Sequence, residues 1–237
     1  MIRNCLFAVV CLSAILQLNA RNIYIVRHGQ SHFKEYYDHE VREPKLTPLG
    51  REQALLLGQY LKEKYNFQGT ILVSPILRTV ETGAVIAGVL NRKIVLEVGI
   101  QEVNYGHDRT CMTLAQVEAR FPGQVTAPAD FTHPWRVVNE TKEMWRQRYI
   151  REMDRILQSV PGDLLLVTHG GGIVSMVDEL CRRGKFRFPG GVYNCALFVF
   201  ELDENNTPVK VDYSIEYIPR EKITDNHSFP FRKKTEQ

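Results

Sequence analysis

Short apolar runs along the chain alternate with longer segments in which apolar residues recur at about three- or four-residue intervals. A short run rich in β-branched residues is typical of a buried strand, and the longer spacing is typical of a helix with one buried face. The pattern predicts strands at residues 22–26, 70–73, 94–98, 163–167, 193–202 and 209–218. It predicts helices at residues 48–64, 78–90, 113–120, 141–158 and 173–182.

This alternation of strands and helices indicates an α/β fold in which helices cover both faces of a sheet. We expect a three-layer αβα sandwich with a mostly parallel central sheet, edge strands, and a cap segment inserted between Glu102 and His169. No repeat or low-complexity linker divides the chain, so we expect one domain over residues 21–220 and a polar tail over 221–237. The composition of the 237 residues, 44% hydrophobic and 24% charged, is that of a globular protein and excludes disorder over most of the chain.

The first twenty residues depart from this pattern. A basic residue, Arg3, precedes a mostly apolar run at 5–18, and the small residue Ala20 follows the run. That order is typical of a secretory signal peptide, although a buried N-terminal helix or a short anchor would show a similar run. No apolar stretch reaches the roughly 18 to 20 residues of a membrane span, so we expect no stable membrane insertion. We expect residues 1–20 to be removed and the mature protein to be secreted or to stay in the secretory lumen.

Two further features gain meaning if the chain is exported. Asn-x-Ser/Thr sequons, which accept N-linked glycans in the secretory route, indicate a glycoprotein. They lie at Asn139, Asn205 and Asn226. The cysteines that remain after residue 20 allow either one disulfide and a free thiol or three free thiols. They are Cys111, Cys181 and Cys195.

The charge of the chain is nearly balanced, at +3, and neither sign forms a long block. A dedicated nucleic-acid binder normally presents a strongly basic face, so this class is not expected. The cysteines and histidines show no spacing of the kind that holds zinc. A structural zinc site is therefore not expected, and we predict that the protein uses no metal and no cofactor.

Each of the first four predicted strands is followed by polar residues of the types that act in catalysis or bind anions. The carboxyl ends of parallel strands share one edge of an α/β sheet, and the ligand crevice lies outside that edge. These residues are therefore expected to converge although they are far apart in the chain. They are Arg27 and His28, then Arg78, then Glu102, and finally His169. Guanidinium groups match the geometry of phosphate, and the glycine-rich helix start after His169 adds backbone N–H groups, so the set suits a phosphate ligand.

These residues stand in segments that resemble the motifs of a known family. The sequence Arg-His-Gly-Gln-Ser at 27–31 resembles the signature of the histidine phosphatase superfamily. The segments at 46–54, 74–82, 102–106 and 168–170 are similar to the further family blocks and follow in the family order. Ser31, and Gly170 after His169, favour the phosphoglycerate-mutase-like branch over the acid-phosphatase branch.

The resemblance implies a role for each residue of the set. His28 is the nucleophile that forms a phosphohistidine, which divides one difficult step into two easier ones. Glu102 is the general acid and base, with Glu140 and Glu143 as less favoured alternatives. The remaining members bind the phosphoryl oxygens, whose charge must be stabilised during transfer. They are Arg27, Arg78, His169 and Gly170.

The predicted function is a secreted phosphomonoesterase that acts through phosphohistidine on a small phosphorylated substrate or a phosphoprotein. One alternative is a phosphoglycerate-type mutase, which uses the same core residues but returns the phosphoryl group to the substrate. Another is a catalytically weak protein that binds a phosphorylated ligand. The sequence names neither the substrate nor the oligomeric state.

Overall fold

A computed structural model describes residues 21–32, 45–102, 113–128 and 140–224 of the chain. Over these residues, seven strands form one sheet. The strands are β1 (Arg21–Arg27), β2 (Thr70–Val73), β3 (Ile94–Leu96), β4 (Val125–Thr126), β5 (Leu164–Thr168), β6 (Leu197–Leu202) and β7 (Pro208–Ser214). The α-helices are α1 (Pro48–Tyr65), α2 (Leu77–Leu90), α3 (Leu114–Arg120), α4 (Lys142–Ser159) and α5 (Gly170–Gly184). Short 3₁₀ helices lie at Val98–Ile100 and Arg220–Lys222.

The strands lie in the order β4-β3-β2-β5-β1-β6-β7. Neighbours from β4 to β1 run parallel, while β6 pairs antiparallel with both β1 and β7. In the centre, Val26 of β1 and Val73 of β2 both lie beside Val167 of β5. The carboxyl ends of these strands therefore lie at one edge of the sheet. The mostly parallel α/β fold that the sequence predicts is confirmed.

Two apolar cores, one on each face of the sheet, hold the layers together. Successive side chains of a strand point to opposite faces. Tyr24 and Val26 pack with the buried faces of α1 and α2, whereas Ile23 and Ile25 pack with those of α4 and α5. The result is the expected three-layer sandwich.

The predicted helix at 141–158 is confirmed as α4, which lies in the stretch between Glu102 and His169 where the sequence analysis expected a cap. Its apolar side chains Trp145, Tyr149 and Met153 are buried in the core that it shares with α5. The helix therefore belongs to a structural layer of the sandwich. Residues 113–128 of this stretch contain α3 and β4, whereas residues 103–112 and 129–139 lie outside the described residues.

Several strand and helix ends differ from the predicted ones, and local hydrogen bonds account for part of this. Strand β3 ends at Leu96 because the chain turns there, with the Glu97 carboxylate accepting a hydrogen bond from the Gly99 N–H at 2.9 Å. Strand β6 begins at Leu197 rather than near 193, because Cys195 has a left-handed backbone (φ 56°) and the Ala196 N–H donates to the Tyr193 carbonyl at 3.1 Å, which forms a turn before the strand. Strand β7 ends at Ser214, and a turn replaces the last predicted strand residues.

The segment after β7 packs against the rest of the domain. Ile218 is 2% exposed, and the Lys222 ammonium contacts the Glu52 carboxylate of α1 at 2.6 Å. Residues 221–224, which were predicted to begin a loose polar tail, therefore pack against the domain.

The predicted signal peptide, residues 1–20, lies outside the described residues, as do Cys111, Asn139 and Asn226. Within the described part of the chain, Cys181 and Cys195 are buried free thiols and do not form a disulfide with each other. Asn205 is exposed in the turn between β6 and β7. None of the helices in the described ranges combines the length and apolar character needed to cross a bilayer.

Candidate active site

The predicted site residues lie together at the carboxyl edge of the sheet. Arg27 ends β1 and His28 follows it, while Arg78 lies in the first turn of α2, just beyond β2. His169 follows β5 and is the N-cap of α5, whose first residue is Gly170. The side chains of Arg27, His28, Arg78 and His169 are all buried.

Hydrogen bonds assign a single neutral form to the His28 imidazole. Its Nδ1 lies 2.7 Å from the Gly29 carbonyl oxygen, which can only accept, so Nδ1 carries the proton. Its Nε2 accepts a hydrogen bond from Nε of Arg78 at 3.1 Å. The lone pair of the imidazole is therefore on Nε2, on the side of the ring that faces Arg78. A nitrogen in this state can act as a nucleophile.

Burial and charge both favour this neutral form. Burial lowers the pKa of His28 well below its ordinary value, and the guanidinium groups of Arg78 and Arg27 lower it further. The hydrogen bond to Gly29 acts in the opposite direction but does not outweigh them. The imidazole consequently stays unprotonated at neutral pH, where a phosphoryl acceptor needs a free lone pair.

The carboxylate of Glu102 lies between Arg78 and His169. Its Oε2 is 3.6 Å from Nη2 of Arg78 and 3.6 Å from Nδ1 of His169. The side chain is 18% exposed, so it reaches the buried cluster and also contacts solvent. The rings of His28 and His169 are 5.4 Å apart between centroids, and because Glu102 contacts His169, the predicted nucleophile and acid belong to one cluster.

The two alternative acids occupy other environments. Glu140 is buried in a two-point ion pair with Arg148, with N–O distances of 2.7 and 2.9 Å. Glu143 is exposed in the first turn of α4 and accepts a hydrogen bond from Gln147. Of these three carboxylates, Glu102 is the one that lies against Arg78 and His169.

Buried side chains that the sequence analysis did not single out hold the segment before Glu102. Nη1 of Arg148 donates to the carbonyls of Gly99 and Gln101, and the hydroxyl of Tyr149 also donates to Gln101. The hydroxyl of Thr168 donates to the Ile100 carbonyl at 2.8 Å. Three successive carbonyl groups before the acid are thus hydrogen-bonded to the rigid sandwich. The sequence contains only a weak indication that Arg148 holds this segment. Arg148 shares the buried face of a helix with Tyr149 and is otherwise an ordinary helix arginine.

Other missed residues contact the catalytic groups directly. The hydroxyl of Ser74 at the end of β2 lies 2.9 Å from Nε2 of His169, and the carbonyl of Val192 accepts a hydrogen bond from Nη1 of Arg27 at 2.8 Å. A Cβ atom on Gly29 would lie 2.3 Å from the Gly50 carbonyl oxygen, so only glycine permits the nucleophile segment to approach α1 this closely. In the described ranges, the histidine, cysteine and acidic side chains form no group that could hold a metal ion.

The sheet edge thus carries two guanidinium groups, a neutral imidazole and a carboxylate close together, an arrangement suited to a phosphoryl group. The family model of the histidine phosphatase superfamily (branch 1) matches residues 23–213. The chain belongs to this superfamily.

Known relatives agree with this assignment. The chain is 28% identical over 162 residues to the Hydrogenobacter thermophilus protein named "Putative phosphoserine phosphatase 2", covering 66% of this chain and 77% of the relative. It is 46% identical over 66 residues, or 28% of this chain, to the mitochondrial serine/threonine-protein phosphatase Pgam5 of Caenorhabditis elegans, but this match spans only 21% of that protein. The family and these relatives identify the chain as a phosphatase.

The fold also matches solved structures. The ecdysone phosphate phosphatase of Bombix mori superposes with a TM-score of 0.58 at 18% identity, covering 88% of this chain and 96% of that one. At this level of identity the similarity concerns the fold.

Proposed function

We propose that this phosphatase hydrolyses phosphate monoesters in two steps, with His28 as the nucleophile and Glu102 as the general acid and then the general base. The observation that carries the proposal is the hydrogen bonding of His28, which leaves the lone pair on a buried Nε2 directed at Arg78. The contacts of Glu102 with Arg78 and His169 supply the acid next to it.

In the first step, Nε2 of His28 attacks phosphorus and the bond from phosphorus to the ester oxygen breaks. Protonated Glu102 gives its proton to that oxygen, which leaves as an alcohol. The phosphoryl oxygens take over the hydrogen bond that Nε of Arg78 gives to Nε2, and they also bind Arg27, His169 and the N–H of Gly170 at the start of α5. Fixed donors of this kind are the main source of stabilisation for a transferring phosphoryl group.

In the second step, the Glu102 carboxylate removes a proton from water, and the resulting oxygen attacks phosphorus. The bond from phosphorus to Nε2 then breaks, which releases inorganic phosphate and restores neutral His28. The partial exposure of Glu102 supports this step, because the carboxylate has access to water. The group that was acid in the first step is base in the second, as reversible proton transfer requires.

We propose small phosphate monoesters as the substrates. The Hydrogenobacter thermophilus relative carries phosphoserine in its name, which supports this class, while the Caenorhabditis elegans relative is named for protein substrates. A substrate panel should therefore hold phosphoserine, sugar phosphates, 3-phosphoglycerate and a phosphoserine peptide. Release of phosphate from small members supports the proposal, whereas activity confined to the peptide would contradict the substrate class.

The nucleophile is tested with His28→Ala beside the wild type. We expect a loss of at least about 10⁴-fold in turnover and no acid-labile phosphate on the variant after an alkaline quench. The wild type should carry acid-labile phosphate on His28 during turnover. Substantial activity of His28→Ala would remove His28 from the proposed role. Conversion of 3-phosphoglycerate to 2-phosphoglycerate much faster than phosphate release would instead indicate a mutase.

We also propose that the chain is exported and loses residues 1–20. Arg21 supports the proposed cleavage point, because its guanidinium donates to the Val160 carbonyl at 2.6 Å and also to the Leu157 carbonyl, at the end of α4. A chain that begins at Arg21 would keep these contacts and the whole of β1. Expression with the native N-terminus in a eukaryotic cell, followed by N-terminal sequencing, tests the proposal. Secreted protein that begins near Arg21 is expected, and cytosolic protein that retains Met1 would refute export.

A further inference from the structure

The chain after β7 returns along α1 and ends its described course beside the nucleophile segment. Nε2 of Gln53 on α1 donates to the Lys222 carbonyl at 2.7 Å, and the Asn194 N–H donates to the Thr224 carbonyl at 2.9 Å. This returning segment lies beyond residues 23–213, which the family model matches.

The hydroxyl of Thr224 lies between two fully buried amide side chains. It donates to Oδ1 of Asn194 at 3.1 Å and accepts from Nε2 of Gln53 at 2.9 Å. Nδ2 of Asn194 donates to the His28 carbonyl at 2.9 Å, and Oε1 of Gln53 accepts from the Gln30 N–H at 2.9 Å. Both amides are 0% exposed, so neither can replace a lost partner with bulk water.

The chemistry of the partners fixes the sense of every bond in this network. The His28 carbonyl can only accept, so Asn194 must present its NH₂ group there and its oxygen to Thr224. The Gln30 N–H can only donate, so Gln53 must present its oxygen there and its NH₂ group to Thr224. A hydroxyl can donate and accept at once, which is what the position between these two amides requires.

The network acts on the peptide group that determines the tautomer of the nucleophile. The Gly29 carbonyl accepts the proton of Nδ1 of His28, and the N–H of the same peptide group belongs to Gln30 and donates to Gln53. Rotation of this peptide group would weaken both bonds together. The orientation of Gln53 is therefore linked to the placement of the lone pair on Nε2.

We propose that Thr224 is a positioning residue for the nucleophile: its hydroxyl orients Asn194 and Gln53, which hold the backbone from His28 to Gln30. The inference rests on the proposed role of His28 and adds a residue from outside the matched family region. A small misplacement of a reacting atom can cost up to about 10²-fold in rate. Loss of the hydroxyl should therefore slow the attack on phosphorus without removing any group that contacts the substrate.

The test compares Thr224→Val, which keeps the shape but not the hydroxyl, with Thr224→Ser, which keeps the hydroxyl. Rapid-quench measurement of acid-labile phosphate gives the rate of phosphohistidine formation directly. We expect Thr224→Val to slow this step by about 10- to 100-fold on activated and unactivated monoesters alike, because attack rather than leaving-group protonation is affected. Thr224→Ser should retain the wild-type rate within about threefold.

Lys222→Met is the matched control, because it removes the ion pair of the same segment with Glu52 and leaves the hydroxyl network intact. It should react at the wild-type rate. Urea unfolding of each variant verifies that the protein assayed is folded, and Thr224→Ala takes the place of Thr224→Val if the latter is not. A folded hydroxyl-free variant that forms phosphohistidine at the wild-type rate would overturn the inference, as would equal slowing of Thr224→Ser. Failure of the proposed function is a separate outcome, since the wild type itself would then form no phosphohistidine on His28.

Discussion

The buried ion pair between Glu140 and Arg148 gives a sharp prediction about stability. The two side chains are 4% and 3% exposed and share two N–O contacts of 2.7 and 2.9 Å. Arg148→Met leaves the Glu140 carboxylate buried without its counter-charge, which typically costs about 3–5 kcal/mol. The same change removes the hydrogen bonds to the carbonyls of Gly99 and Gln101, so the upper part of this range is expected.

The pKa of Arg148 is consistent with a strong pairing. Burial alone would lower the pKa of this guanidinium, but the hydrogen bonds to Glu140, together with the interactions with Tyr149 and the charge of Glu140, outweigh that effect and raise it. A domain in the middle or upper part of the usual range of about 5–15 kcal/mol would stay folded after the substitution, but with a much smaller margin.

Urea unfolding followed by circular dichroism measures the effect in a double-mutant cycle of Arg148→Met, Glu140→Gln and the two together. Because the double variant leaves no unpaired charge, it should recover part of the loss seen in Arg148→Met. Arg146→Met is the control on the same helix: its pair with Asp178 is exposed at 3.7 Å, so a loss of about 0.5 kcal/mol or less is expected. A loss below about 1 kcal/mol for Arg148→Met would refute the assignment of a strong buried pair.

Three further predictions concern catalysis and pH. Glu102→Gln should slow the hydrolysis of alkyl phosphates by about 10²–10⁴-fold but that of an activated aryl phosphate much less, since a good leaving oxygen hardly needs a proton. Glu140→Gln should show no such selectivity. Selectivity in Glu140→Gln and none in Glu102→Gln would move the acid role to Glu140. Tyr149→Phe removes one hydrogen bond to the Gln101 carbonyl and should slow the hydrolysis of alkyl phosphates about threefold to tenfold more than that of the aryl phosphate. Equal slowing of both substrates would mean that Tyr149 does not position the acid. Because the pKa of His28 is lowered on folding, the unfolded chain binds a proton below about pH 6.5 that the folded protein does not. The unfolding free energy of the wild type should therefore fall more steeply on acidification than that of His28→Asn, by up to about 1.4 kcal/mol per pH unit. Urea titrations of both proteins between about pH 7 and pH 5 measure this difference, and equal slopes of the unfolding free energy against pH would contradict the lowered pKa.

The convergence of the site could be predicted from the sequence because it follows from topology. Parallel strands that end in Arg27, or that precede Arg78 and His169, must deliver these residues to one edge of the sheet. The pattern of β-branched runs was sufficient to locate those strands, and the order of the motifs located the residues. Neither step required knowledge of side-chain contacts.

The groups that orient the site could not be predicted in the same way. Arg148, Thr224 and Gln53 are ordinary polar residues in the sequence, and each acquires its role only from a partner that is distant in the chain. Strand β4, with two residues, is too short to show periodicity. The contacts of Lys222 and Thr224 with the domain could not be predicted either, because they are polar and no apolar pattern marks them.

The neutral state of His28 and the rigidity of its surroundings have a common physical origin. Burial lowers the pKa of the imidazole, and the charges of Arg78 and Arg27 lower it further, but burial also removes the water that could satisfy nearby polar groups. Each buried carbonyl and amide around the nucleophile must then find a partner within the protein. The hydrogen bonds from Asn194 and Gln53 meet this requirement, and because each bond has only one possible sense, they fix a single backbone orientation at His28. In the proposed mechanism, the desolvation that keeps the imidazole neutral is thus also the reason that the backbone around it needs these partners within the protein.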